Sequence, residues 1–193
     1  MKRYETLTEL CKALPKYLGN GYEQIRITRI PSKKVSKTDN ILKRLSNTYK
    51  TDLTQGKRQY RRKKGLANYA LLSYRDIVII LKTSGTDETE DEINDFNRFN
   101  RSLKLEISKY LTLILYRDER EILTYRIERE TFNRMRAEFE RSFKSKNGKK
   151  FHNLVKMFDN LPYYKGIGHQ KKQLISDFKE WQKEHRTRWT LTF

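Results

Sequence analysis

The sequence predicts an α+β protein with a central antiparallel sheet of about four or five strands, one helix before the sheet and three helices after it. Three observations carry that prediction. The unbroken run Ile77 to Leu81 is what a strand buried on both faces shows. From Leu103 to Leu115, every odd position except Lys109 is Leu or Ile, the period of a strand. After Glu130 the apolar spacing changes to three and four residues, the period of a helix. A basic N-terminal region with the sheet, 1–130, therefore gives way to a helical region, 131–193, packed on it as one compact unit. The 193 residues suit one domain of ordinary size.

In chain order, residues 5–18 place Leu7, Leu10, Cys11, Leu14 and Leu18 on one helical stripe, with Pro15 expected to end or bend the helix. Gly19-Asn20-Gly21 makes a turn. Tyr22 to Ile30 alternates Ile25 and Ile27 against Gln24, Arg26 and Thr28, a half-buried strand that stops at Pro31 and turns Arg26 to solvent. Residues 32–66 are the most basic stretch. Within it a helix is expected around Asp39 to Tyr49, capped by Thr38 or Asp39, with Ile41, Leu42 and Leu45 as a narrow apolar face. The remainder reads as an exposed loop ending at Gly65. Leu66 to Lys82 contains the central strand. The following TDETEDEIND, with Asp87, Glu88, Glu90, Asp91, Glu92 and Asp95, reads most simply as a solvated linker or helix start, although its charge makes it the one stretch that could attract a cation.

Residues 103–129 read as a long antiparallel hairpin turning at Tyr116 to Arg120. Phe132, Met135, Phe139 and Phe143 mark the first C-terminal helix, which Gly148 is expected to end. Phe151, Leu154, Val155 and Phe158 mark the second, and Leu174, Ile175, Phe178 and Trp181 the third. The alternating Trp189 to Phe193 returns as a strand at a sheet edge.

Charge narrows the function classes. Lys and Arg number 43 against 24 acids, a net charge of +19. Residues 1–75 carry 19 bases and 5 acids, 76–143 carry 12 and 15, and 144–193 carry 12 and 4, so the positive charge lies at the two ends. A surface that positive repels itself unless it meets a polyanion, and the expected partner is DNA or RNA, met alone or inside a larger nucleoprotein complex. No run approaches the ~18 apolar residues of a spanning helix, and the N-terminus leads into no apolar signal core. The expectation is no membrane partner and a cytoplasmic protein, nucleoid or nuclear if it binds DNA. Cys11 is the single cysteine, and His152, His169 and His185 lie far apart in sequence, so neither a metal nor another cofactor is expected. No phosphate-binding glycine loop of the ATPase type is present.

Three stretches are expected to contact phosphate. The first is KRQYRRKK, with Lys57, Arg58, Arg61, Arg62, Lys63 and Lys64 around Tyr60: bases neutralise phosphate and release counterions, while an exposed tyrosine stacks on a base. The second is LPYYKGIGHQKKQL, where Gly166-Ile167-Gly168 precedes a helix beginning near His169, and Lys165, Lys171 and Lys172 add charge to the free amides of a helix start. Lying between two helices, this Gly-Ile-Gly resembles the turn of a helix-hairpin-helix DNA-binding motif. The resemblance implies non-specific phosphate contact through Gly166, Gly168 and the amides after them, although Tyr163-Tyr164-Lys165 makes the connection longer than in that motif. The third is the basic face of the last helix, Lys171, Lys172, Lys179, Lys183 and Arg186, opposite Leu174, Phe178 and Trp181. Residues 33–64 and 165–188 are expected to lie on or near one shared face.

Against each stands a plain alternative: a solvated loop or targeting signal, an ordinary interhelical connection, a solvated helix face. Lys109 marks a bulge, the end of the buried region or a functional amine. A metal-dependent nuclease is the alternative function, with Asp76, Glu106, Lys109, Glu128 and Glu130 as its candidate pieces. Glu106-Ile107-Ser108-Lys109 is one residue longer than the Glu-x-Lys signature of restriction-enzyme-like nucleases, which on a regular strand turns the two side chains to opposite faces.

Overall fold

A computed structural model of the chain describes residues 1–87 and 95–185. The architecture is mixed α and β, with an N-terminal helix, a five-stranded sheet and C-terminal helices. The chain divides into two compact units, Met1–Asn100 and Arg101–Phe193.

In the first unit, β1 (Lys2–Tyr4), β2 (Gln24–Arg29), β3 (Tyr69–Tyr74), β4 (Ile77–Lys82) and β5 (Asn97–Arg98) form one sheet in the order β1-β3-β4-β2-β5. All neighbours are antiparallel except β1, which runs parallel to β3. The all-antiparallel expectation thus fails at one edge: β1 has three residues, too few for a period of two to show. The apolar run Ile77 to Leu81 is central and buried throughout, as its unbroken pattern requires. It is joined to β3 by a tight turn at Arg75-Asp76, where Arg75 has a φ of 53°.

Helix α1 (Leu7–Gly19) begins in a capping box, with Thr6 accepting from the Glu9 amide and the Glu9 carboxylate accepting from the Thr6 amide. Its Leu10, Cys11, Leu14 and Leu18 are buried. Pro15 does not end it, because the stripe continues on both sides of the proline and Asn20 closes the helix. On the opposite side of the sheet from Ile79, α2 (Thr38–Thr48) packs Leu42 with Tyr49 against Leu71, Val78 and Ile80. A 3-10 turn, Ser32–Lys37, runs straight into α2, so Lys37 occupies the cap position and Thr38 instead donates to the Val35 carbonyl. Neither Thr38 nor Asp39 caps the helix. The expected loop before Gly65 is also helical: α3 spans Gln55–Lys63, with Thr54 accepting from the Lys57 amide.

In the second unit, β6 (Ser102–Ser108), β7 (Leu111–Arg117) and β8 (Leu123–Ile127) form a separate antiparallel meander. The expected single hairpin is three strands, because the alternating stretch 103–115 folds back at Lys109-Tyr110. The register shifts between Glu106 and Ser108, so Lys109 follows a bulge and stands exposed at the turn. Helices α4 (Arg129–Lys144), α5 (Gly148–Asp159) and α6 (Lys165–His185) bury Phe132, Phe139, Phe143, Phe151, Phe158 and Phe178 together. Gly148 starts α5 rather than ending α4: Ser145 closes α4, Lys146 takes a φ of 53°, and the Asn147 side chain caps the next helix. Helix α6 is bracketed to β8 by Gln170, whose amide group accepts from the Ile127 N–H and donates to its carbonyl at 2.7 and 2.9 Å. Residues 88–94 and 186–193, including four of the acids of TDETEDEIND and the strand expected at Trp189 to Phe193, lie outside the described residues.

Candidate functional site

The most basic element, α3, has the sequence QGKRQYRRK and buries none of its residues. The six bases of this helix and its C-cap divide by helical spacing into two sets. Arg58 and Arg61, three residues apart, point inward. The Arg58 guanidinium donates to the Leu53 carbonyl at 3.0 Å, the Thr51 carbonyl at 2.6 Å and the Tyr22 hydroxyl at 2.8 Å. Arg61 donates twice to the Ala67 carbonyl, at 3.1 and 2.8 Å. These two anchors hold the helix through fork-shaped hydrogen bonding to backbone oxygens rather than through an apolar face.

Lys57, Arg62, Lys63 and Lys64 are exposed and form no ion pair among the described residues. Tyr60 stands among them, 62% exposed, with the Lys64 ammonium 5.9 Å from its ring centre. Six bases that look equivalent in sequence are therefore two structural residues and four free charges around an aromatic ring.

Also in this unit, a cavity of about 550 Å³ lies between α2 and the sheet. Arg26, Thr28, Lys34, Arg44, Ile41 and Leu45 are among its lining residues. Arg26, expected to face solvent, is half-buried there: it donates to the Tyr49 hydroxyl at 3.3 Å and lies 3.7 Å from the Asp95 carboxylate. Lys34 and Arg44 lie within the basic stretch 33–64 expected on a shared face, but outside the three stretches expected to contact phosphate. The signal was the helical stripe Ile41, Arg44, Leu45, Thr48, whose meaning depends on which sheet face it meets.

The acids flanking 88–94 are engaged with bases of the sheet. Asp87 accepts from Lys82 at 2.7 Å and from the Tyr69 hydroxyl. Burial raises the Asp87 carboxyl, but the Lys82 ammonium and the Tyr69 hydroxyl outweigh burial and hold it below the usual carboxylate range. The Tyr69 hydroxyl is pushed up, first by burial and then by the bond to Asp87.

In the second unit, Gly166 and Gly168 lie inside the first turn of α6 rather than in a turn between helices, because α6 begins at Lys165 and not near His169. Gly166 is buried, and a Cβ there would meet the Tyr125 carbonyl at 2.5 Å and the Tyr116 hydroxyl at 2.8 Å. Its small size serves close packing of helix on strand. The Gly168 amide donates to the Tyr164 carbonyl at 2.7 Å, so that N–H is already used. Lys165 pairs with Asp118 at 3.1 Å, and Lys171 is half-buried against Asp159 at 3.3 Å. His169, Lys172, Lys179 and Lys183 are exposed, whereas Arg186 lies outside the described residues. The two basic stretches expected to share a face belong to different units.

Of the carboxylates considered for metal chemistry, Asp76 pairs with Arg29 and Glu128 with Lys104 and Thr131. Among the described residues, no group of three His, Cys, Asp or Glu side chains is placed to hold a metal ion. No described helix is long and apolar enough to cross a membrane. Comparison with protein-family models, with curated proteins and with solved structures gave no match.

Proposed function

We propose that the chain binds the phosphate backbone of DNA or RNA, as a non-catalytic component of a nucleic-acid-processing system, with the outer face of α3 as its primary contact. The observation that supports this reading is the composition of that helix after its inward residues are accounted for. A nine-residue helix with no buried apolar side chain is marginal in water, and like charges three and four residues apart weaken it further. Arg58 and Arg61 offset part of that cost by anchoring the helix, and the four bases left outside offer charge to a polyanion. Tyr60 adds a face on which a base can stack. A phosphate backbone supplies negative charge to such exposed bases without demanding base-specific contacts. The exposed Lys172, Lys179 and Lys183 of α6 would add phosphate contacts from the second unit. The protein would act in the cytoplasm, or in the nucleoid or nucleus if its ligand is DNA, alone or within a larger nucleoprotein complex.

The test is a salt titration of affinity for matched single-stranded and duplex DNA and RNA, with wild type and with Lys57, Arg62, Lys63 and Lys64 all changed to Ala. Wild type should bind with a steep slope. The variant should bind more weakly, with a slope shallower by about 0.7–0.9 for every phosphate that its side chains no longer neutralise. Absence of binding to all four ligands overturns the reading. Full affinity in the variant removes α3 from the site.

A further inference from the structure

We propose that the groove between α2 and β2 takes one unstacked nucleotide of a single strand, its base against the aliphatic wall and its phosphate at Lys34 and Arg44. This rests on the phosphate-backbone reading and names its substrate class as single-stranded nucleic acid.

The groove is built where two periodicities meet. On the sheet, Arg26 lies opposite Ile80 and Thr28 opposite Val78, and directly paired residues share a face. On the helix, Ile41, Arg44, Leu45 and Thr48 recur at three and four residues and form the facing wall. Val78 and Ile80 are buried at the base of the groove, while Ile41 and Leu45 remain half-exposed. The volume of about 550 Å³ falls in the ~300–1,000 Å³ range of small-molecule sites. Lys34 and Arg44 form no ion pair among the described residues, whereas Arg26 is already held 3.7 Å from the Asp95 carboxylate, which leaves the first two as the phosphate contacts.

A ligand matching this groove needs a flat apolar body joined to an anionic group within one residue length. A nucleotide has both. Duplex DNA or RNA keeps its bases stacked and offers a recessed apolar wall nothing, whereas a single strand can splay a base into it. A membrane is disfavoured because the aliphatic surface is recessed between cations rather than projecting. The competing occupant is an acidic peptide, since β5 covers β2 only at Gln24 and Ile25 and leaves its outer edge unpaired by any described strand beyond them. An acidic strand would satisfy the charges but supply no flat apolar body for Ile41 and Leu45.

The experiment measures the affinity of the full chain for a thymidine oligonucleotide of about ten nucleotides and for a duplex of the same length at one salt concentration. Thr28→Trp and Thr48→Trp each put an indole into the groove from a different element, so one can report if the other fails to fold. Wild type should prefer the single strand about tenfold, a step that burying part of a base's apolar face against Ile41 and Leu45 can supply. Each folded groove variant should lose that preference while keeping duplex affinity and salt slope. In wild type, photocrosslinking with 5-iodouracil in the strand should mark peptides of β2 and α2.

An unchanged preference in a folded groove variant, or crosslinks confined to α3, overturns the groove and leaves the phosphate reading standing. Wild-type binding without single-strand preference does the same. No binding to either ligand overturns both. Displacement of the oligonucleotide by polyglutamate as effectively as by unlabelled strand overturns the nucleotide in favour of an acidic peptide.

Discussion

Arg58 and Lys63 lie on one helix, about a turn and a half apart, with opposite fates. The Arg58 guanidinium satisfies two loop carbonyls and a tyrosine hydroxyl, so Arg58→Ala should lower stability by about 1.5–3 kcal/mol in urea denaturation. Arg58→Lys should not restore it, because an ammonium cannot match the fork geometry. Lys63→Ala should leave the denaturation midpoint unchanged. Asp118 gives a separate, pH-dependent case. The Ile122 amide leads in holding its carboxyl below the usual carboxylate range, with the Lys165 ammonium and the Arg120 amide assisting. The folded value is lowered, so the stabilisation is complete above the ordinary aspartate value near ~3.9 and is lost as pH falls through the folded value. Asp118→Asn keeps an acceptor without a titrating charge, and its thermal midpoint should fall less steeply than wild type over that acidic window. Parallel curves would remove Asp118 from the acid response.

Elements here are held by different kinds of contact, and they should fail differently. Helix α6 depends on close approach to β8. In Gly166→Ala the new methyl meets a backbone carbonyl that cannot rotate away, and the expected cost is about 1–3 kcal/mol by thermal denaturation. A neutral Gly166→Ala would show that this approach is not tight in solution. Helix α3 has no such packing to lose. Its amides should be among the first to exchange with deuterium in the free protein, and saturating nucleic acid should slow them several-fold while α4 is unchanged. Equal protection of α3 with and without ligand would contradict its role as the contact element.

Across the whole chain, the charge of +19 works against compactness in the absence of a partner. Much of the acid present is already committed to local pairs, such as Asp39 with Arg3, Asp76 with Arg29 and Asp177 with Arg136, which neutralises bases without lowering the net charge. The thermal midpoint should therefore rise between low and moderate ionic strength, and rise further with a short polyphosphate at equal ionic strength. A midpoint that falls with salt would mean that the local pairs outweigh the self-repulsion.

Composition and periodicity determined the fold class, the central strand at Ile77 to Leu81 and the three C-terminal helices, because burial imposes a spacing that long elements repeat often enough to be seen. The same signals missed β1, which is too short to repeat, and joined β6 to β7, because strand alternation continues in phase across a two-residue turn. They also left α3 as a loop. A helix anchored by arginine to backbone oxygens has no apolar stripe, and Arg58 is distinguishable from Arg62 only once the Thr51 and Leu53 carbonyls are in place. The groove is further still from the sequence. It requires Arg26 and Thr28 to face the same side as Val78 and Ile80, and that is fixed by the pairing of β2 with β4, strands far apart in the chain. Excess positive charge on an α+β scaffold is legible from residue order alone. Which of those charges hold the fold and which stand exposed is settled by packing, because a side chain's role is set by the partners that folding brings to it.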